Sequence, residues 1–138
     1  MKQYIVKKIE LTDIKYFSIS VGLLPGYDNA KQEHSVSIAT TEFNKWIQER
    51  LENNQYVFAA KVIPISFMYG FKNKGDIIIN NNEKAIEFQG EVIREYCIDF
   101  DNDRKLLTII SELASRIGNT CKQERVHIMF NNQKYILE

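Results

Sequence analysis

Two cysteines, Cys97 and Cys121, two histidines, His34 and His127, and two prolines, Pro25 and Pro64, are all that this chain of 138 residues carries of those types. The cysteines fit neither a metal-ligand nor a redox spacing, so a disulfide framework and a zinc site are excluded, and no metal or cofactor is expected. With so few prolines and six glycines, a long flexible linker is excluded too. Charge of one sign is also missing. Eighteen basic residues face eighteen acidic ones, spread along the chain, so no basic field is present and avid electrostatic binding to nucleic acid is not expected. No apolar run approaches the length of a membrane span. The opening residues, MKQYIVKKIELTD, alternate apolar with charged positions instead of forming the apolar stretch of a secretion signal. The expectation is a cytoplasmic protein with reduced thiols and no membrane partner.

Apolar residues make up 44% of the chain and aromatics 12%, enough at this length for one domain over residues 1–138 to bury a core without staples. The richness in Asn, Ile and Lys suggests an AT-rich coding genome, such as that of a low-GC bacterium or its phage.

The apolar periodicity changes along the chain in a readable order. Residues 4–9 suggest a short extra strand. In residues 16–24, Phe17, Ile19, Val21 and Leu23 alternate with Tyr16, Ser18, Ser20 and Gly22, the period of a strand with one face in a core. Pro25-Gly26 opens a polar loop over residues 25–37. Phe43, Trp46, Ile47 and Leu51 then recur at helical spacing, behind a cap assigned to Thr40 or Thr41. Residues 57–69 are rich in β-branched and aromatic side chains. Pro64 interrupts them and, lacking an N–H, places them at a sheet edge. Residues 71–75 read as a turn, residues 76–79 as a short strand, Asn80, Asn81 and Asn82 as a second turn, and residues 85–99 as a strand with an apolar face and an acidic one. Leu106, Leu107, Ile110, Leu113, Ala114 and Ile117 form the stripe of a second helix, capped by Asp101 or Asp103 and stopped by Gly118-Asn119. Strands around an Asn131-Asn132 hairpin turn close the chain. The order is β-α-β-β-α-β. It predicts a ferredoxin-like α+β sandwich: an antiparallel sheet with two helices on one face, an extra N-terminal strand and a C-terminal hairpin.

Few constellations carry chemistry. Asp99, Asp101 and Asp103 space like the start of a calcium loop. The glycine and glutamate that such a loop needs further on are Arg104 and Ile110, so a helix N-terminus that welcomes carboxylates is the simpler account. Phe88-Gln89-Gly90-Glu91-Val92-Ile93-Arg94 resembles the phosphate loop of acylphosphatases, a ferredoxin-like family. Here it follows Ile86 and Glu87 where that family has glycine, and it lies in a strand pattern. The N-terminal proline of tautomerases is replaced by Lys2. Neither His34 nor His127 has a nucleophile at a recognisable spacing, and Cys121, beside Lys122, is the better placed of two packing thiols. No catalytic residue is assigned.

Binding is the remaining expectation. Arg94 falls on an apolar strand face, where it must reach the edge, pair with an acid or meet a ligand anion. Tyr96 on the same face and Tyr27 in the polar loop are the expected companions, so Tyr27, Arg94 and Tyr96 form the candidate ligand site. Apolar residues on both parities of residues 57–69 predict that both sheet faces are covered, hence a homo-oligomer, with a dimer as the simplest form. The functional expectation is a small non-enzymatic oligomeric binding or regulatory protein, of inhibitor or immunity type, recognising a protein partner or a small anionic metabolite. The alternative is an enzyme acting on a phosphate-containing small molecule.

Overall fold

A computed structural model describes residues 1–24 and 35–138. Five strands and two helices follow in the order β1 (Ile14–Gly22), α1 (Val36–Glu52), β2 (Ala59–Lys72), β3 (Ile78–Ile93), α2 (Asp103–Thr120), β4 (Val126–Phe130) and β5 (Gln133–Leu137). The sheet runs β2-β3-β1-β4-β5 with every neighbouring pair antiparallel, which is the ferredoxin-like arrangement with β5 added at one edge. Both helices pack on one face. Phe17, Ile19 and Val21 of β1, Ile86, Phe88 and Val92 of β3, and Val126, Ile128 and Phe130 of β4 meet Phe43 and Trp46 of α1 and the α2 stripe in one core. Its centre is aromatic: Phe43 lies 5.0 Å from Phe88 and Trp46 lies 6.0 Å from Phe58, centroid to centroid. Among the described residues no helix is long and apolar enough to cross a membrane.

Several boundaries differ from the sequence reading, each for a tertiary reason. Residues 1–10 belong to no strand and are exposed apart from half-buried Ile9. Helix α1 starts at Val36 behind Ser35, a turn earlier than its apolar spacing shows, and Thr40 turns its hydroxyl back to the Val36 and Ser37 carbonyls instead of capping. Asn102, between the two acids expected to cap α2, accepts the Lys105 N–H at 3.0 Å. Helix α2 also runs through Gly118-Asn119: Gly118 is a packing glycine, since a Cβ there would strike the Val126 side chain.

The largest difference lies in β3. Asn80, Asn81 and Asn82 form no turn, because β2 continues to Lys72 and pairs with them through Gly70, Tyr69 and Met68. The hairpin turn is the one expected over residues 71–75, at Asn73, whose side chain accepts the Gly75 and Ile77 N–H groups, with Asp76 at φ 57°. Strand β3 then ends at Ile93, and Arg94–Tyr96 is a single 3-10 turn. Pro64 does lie on an edge strand, and Asn131-Asn132 does close the β4–β5 hairpin, at φ 49° and 66°.

Candidate functional site on the concave sheet face

The face of the sheet away from the helices is built by alternation. Every second residue of β1, β3 and β4 points away from the core, so Ser18, Ser20, Glu87, Gln89, His127 and Met129 share one surface. Register sets Glu87, Ser20 and His127 side by side across three strands. Strands β2 and β3 are long enough to project past the helical layer, and the twist inherent to paired strands curls their outer half over this face. The curl brings Phe67 of the edge strand to His127 of β4, with ring centroids 6.0 Å apart. This contact half-buries Phe67, one of the apolar residues on the second parity of β2.

Under the curl lies a cavity of about 470 Å³, within the usual range for small-molecule sites. Phe67, Met68 and Tyr69 form one wall, Ser18, Ser20 and Glu87 the floor, and His127 and Met129 the far side. Gln123, Glu124 and Arg125, which lead from α2 into β4, and Lys134 of β5 border it. Glu87 is held by both of its oxygens: Ser20 Oγ donates to one at 3.2 Å and Gln89 Nε2 to the other at 2.8 Å. Glu83 is the charged side chain that is buried among the described residues. It approaches the β1 backbone at Gly22, where any Cβ would collide with the Glu83 and Gln123 side-chain oxygens. Tyr69 Oη accepts from Asn81 Nδ2 at 3.3 Å, which orients the ring from the neighbouring strand. Burial, with the Lys134 and Arg125 charges adding to it, lowers the His127 pKa below the usual imidazole value and favours the neutral ring. The cavity is therefore a carboxylate-bearing, aromatic-walled recess with a neutral imidazole in its side.

The residues expected from sequence lie elsewhere. Tyr27 and His34 fall outside the described residues. Arg94 sits at the opposite end of β3 from the curl, 3.4 Å from Asp13 and 3.3 Å from Asp101, its guanidinium 5.0 Å from the Phe100 ring centroid. Tyr96, two residues on, is exposed. Nothing in the geometry joins either to the cavity. The residues resembling an acylphosphatase loop, Gln89 to Ile93, are paired strand. The acids of the calcium-like run are engaged by cations, Asp99 by Lys105, Asp101 by Arg94 and Asp103 by Lys15. Cys121 is buried and its thiol is pushed up to about 11 by desolvation, which disfavours the thiolate a nucleophile needs. Glu83, Glu87, Phe67 and Tyr69 were not singled out from sequence. The available signals were the acidic parity of residues 85–99 and the doubly apolar residues 57–69, and reading them together requires knowing that the hairpin curls.

No protein-family model matches the chain, and no curated protein matches it. Among solved structures, a phage SAM lyase in complex with S-methyl-5'-thioadenosine superposes with a TM-score of 0.66 at 12% identity, over 97% of this chain and 95% of that one. A phage SAM lyase in the apo state superposes with a TM-score of 0.58 at 16% identity, over 96% and 95%. At these identities the likeness is one of fold. It nevertheless overturns the expectation of a non-enzymatic binding or regulatory protein. Both of these chains, which match this one nearly end to end, are those of an enzyme, and the charged, walled recess that sequence reading did not find is present on the concave face.

Proposed function

We propose that this chain is an enzyme that cleaves S-adenosylmethionine at the concave face. One observation carries the reading: a fold shared along its whole length with phage SAM lyase presents a cavity of about 470 Å³ that holds Glu83 and Glu87 inside a wall of Phe67, Met68 and Tyr69. A sulfonium is a permanent cation with no proton to donate. Carboxylates and the faces of aromatic rings are the groups that hold it, the rings at about 0.5–2 kcal/mol each. The same rings offer planes against which an adenine can stack. The alternative drawn from sequence, an enzyme, is kept, and its substrate class is replaced, because S-adenosylmethionine carries no phosphate and two carboxylates in the recess would repel one.

A lyase that releases methylthioadenosine breaks the bond between the sulfonium sulfur and Cγ of the methionyl chain. The sulfur keeps the electron pair and becomes a neutral thioether. The substrate's own carboxylate oxygen makes the new bond to Cγ, which closes a five-membered lactone, and neither water nor an external base is consumed. In that step a cation and an anion annihilate each other. Such a reaction is favoured where water is excluded, and the apolar walls would supply that setting. Glu87, fixed by Ser20 and Gln89, and buried Glu83 would hold the cationic substrate, and the neutral His127 ring avoids adding a repelling charge. The phage source of the matching structures fits the composition, and a cytoplasmic location fits the substrate; both belong to this proposal.

Incubation of the purified chain with S-adenosylmethionine should release methylthioadenosine, followed by liquid chromatography with mass detection. Glu87→Gln and Glu83→Gln should lower kcat/KM about 30- to 100-fold, the loss of about 2–3 kcal/mol of charge-assisted contact. Intact S-adenosylmethionine after prolonged incubation with folded protein would sink the reading.

A further inference from the structure

The concave face does not end at the recess under the curl. The alternation that sends Glu87 and Ser20 outward continues down the same strands, so each step along the sheet adds a row of side chains to one surface. Ile63, Glu87, Ser20 and His127 make one row. Lys61, Gln89, Ser18 and Met129 make the next, and Ala59, Glu91 and Tyr16 the one beyond. Over the last two rows lies a second recess of about 420 Å³, bordered by Tyr16, Lys61, Gln89 and Glu91. Gln89 joins the two spaces. Its Nε2 donates to Glu87 at 2.8 Å, and its register partner on β1, Ser18, belongs to the floor of the first recess.

The chemistry of the second recess differs from that of the first. Under the curl, carboxylates face aromatic rings; here one cation and one anion, Lys61 and Glu91, stand on a diagonal between neighbouring strands, roughly 7–8 Å apart. The acids beyond the end of β3, Asp99, Asp101 and Asp103, are each held by a cation, whereas neither Lys61 nor Glu91 has an ion-pair partner among the described residues. Two opposite charges with a space between them complement an α-amino-acid group, whose ammonium and carboxylate share one carbon. The distances agree. Successive rows on one face of a sheet are about 7 Å apart, and three carbons separate the sulfonium of S-adenosylmethionine from its amino-acid charges, about 5 Å when extended. A sulfonium at the Glu87 row therefore puts the amino-acid end one row further on.

We propose that the second recess takes the amino-acid end of S-adenosylmethionine, with Lys61 on the carboxylate and Glu91 on the ammonium, while the nucleoside stays under the curl. This rests on the substrate assigned above and adds its orientation. The orientation also aligns the reacting atoms. A carboxylate oxygen bonds to Cγ as the Cγ–S bond breaks, the electron pair leaves with sulfur and no proton moves, and such a displacement needs the oxygen on the side of Cγ away from sulfur. Sulfur at the Glu87 row and carboxylate at the Lys61 row meet that need. Lys61 engages one oxygen and leaves the other to attack.

The experiment is calorimetry on the full chain and on two variants, Lys61→Met and Glu91→Gln, with two probes. Sinefungin keeps the nucleoside and the amino-acid end and carries an amine-bearing carbon in place of the sulfonium, so it is not cleaved; methylthioadenosine lacks the amino-acid end. Both substituted positions are exposed and outside the core, so circular dichroism should show the fold retained. Each variant should bind sinefungin about 10- to 30-fold more weakly and methylthioadenosine within about twofold of the parent, and kcat/KM for S-adenosylmethionine should fall with the sinefungin affinity. Phe67→Ala, at the wall of the first recess, should weaken both probes. Variants that keep the parent's affinity for sinefungin, or that lose both probes alike, would overturn the subsite and leave the reaction standing. A parent that cleaves nothing, with the split between probes intact, would overturn the reaction and uphold the subsite.

Discussion

His127 shows how neighbours, more than residue type, decide a side chain's work. The same imidazole on an exposed strand would titrate near neutrality. Here burial and the flanking Lys134 and Arg125 hold its pKa down, so the folded chain binds this proton less readily than the unfolded one. The sign follows: the stability linked to His127 is complete above the unfolded imidazole value and is lost as the pH falls toward the lower folded one. Melting temperature is expected to fall between about pH 7 and about pH 5, and the His127→Gln variant to show a shallower slope. A slope unchanged by the substitution would assign that loss to other groups. Protonation would also put a cation in the side of the recess, so KM for a cationic substrate is expected to rise as the pH falls through the lowered value of the folded chain. Glu83 and Gly22 make the complementary point. The buried Glu83 carboxylate has its place beside β1 because neighbouring Gly22 has no Cβ to exclude it.

At the scale of elements, short polar residues do the positioning. Asn102 caps α2 with its side chain, and Asp103 in the first turn reaches both Lys15 of β1 and Asn131 of the β4–β5 turn, which ties helix, sheet and hairpin together at one point. Asn102→Ala is expected to destabilise the fold by about 1 kcal/mol, read as a lower midpoint in urea with an unchanged slope. A changed slope would mean that the helix end frays as a separate unit. Arg116 of α2 plays the matching part between helices, with its guanidinium on Glu42 at 3.0 Å and on Glu49 at 2.5 Å, and these contacts raise its pKa. Strands β2 and β3 behave differently along their length. Near the core they are half of a sandwich, and beyond Ile65 and Ala85 they are a free-standing ribbon whose twist is unopposed by helices.

For the whole molecule this division separates stability from function. Apart from Glu83, residues 61–84 contribute no buried side chain, and the core is assembled from β1, the inner half of β3, β4, Phe58 and the two helices. Replacing residues 66–84 by an Asn-Gly turn between Ile65 and Ala85 is therefore expected to leave a cooperatively folding domain. Its melting temperature should lie within about 10 °C of the parent, corresponding to about 1–2 kcal/mol. The same change removes Phe67, Tyr69 and Glu83 from the cavity, and turnover of S-adenosylmethionine should be lost. A shortened chain that still turned over substrate would place the chemistry outside the curl, and one that failed to fold would make the ribbon part of the core.

The order of elements, the edge position of Pro64, the α2 stripe and the Asn131-Asn132 turn were legible in the chain, because each depends on local periodicity or on one residue's backbone preference. The start of α1, the cap at Asn102 and the strand through Asn80–Asn82 were not. There a partner strand or a neighbouring helix outweighed local preference, as when β2 drew three asparagines into its ladder. The ligand site was illegible for a stronger reason. Arg94 and Tyr96 attracted attention by breaking a pattern within one segment. Glu87, Ser20 and His127 become neighbours only through register across three strands, and Phe67 joins them only because an unsupported ribbon twists. Sequence by itself determined which faces are apolar and how the strands follow one another, since burial and chain connectivity are written residue by residue. Tertiary structure alone decided that the acidic face is a walled recess, because curvature belongs to paired strands and to no single segment.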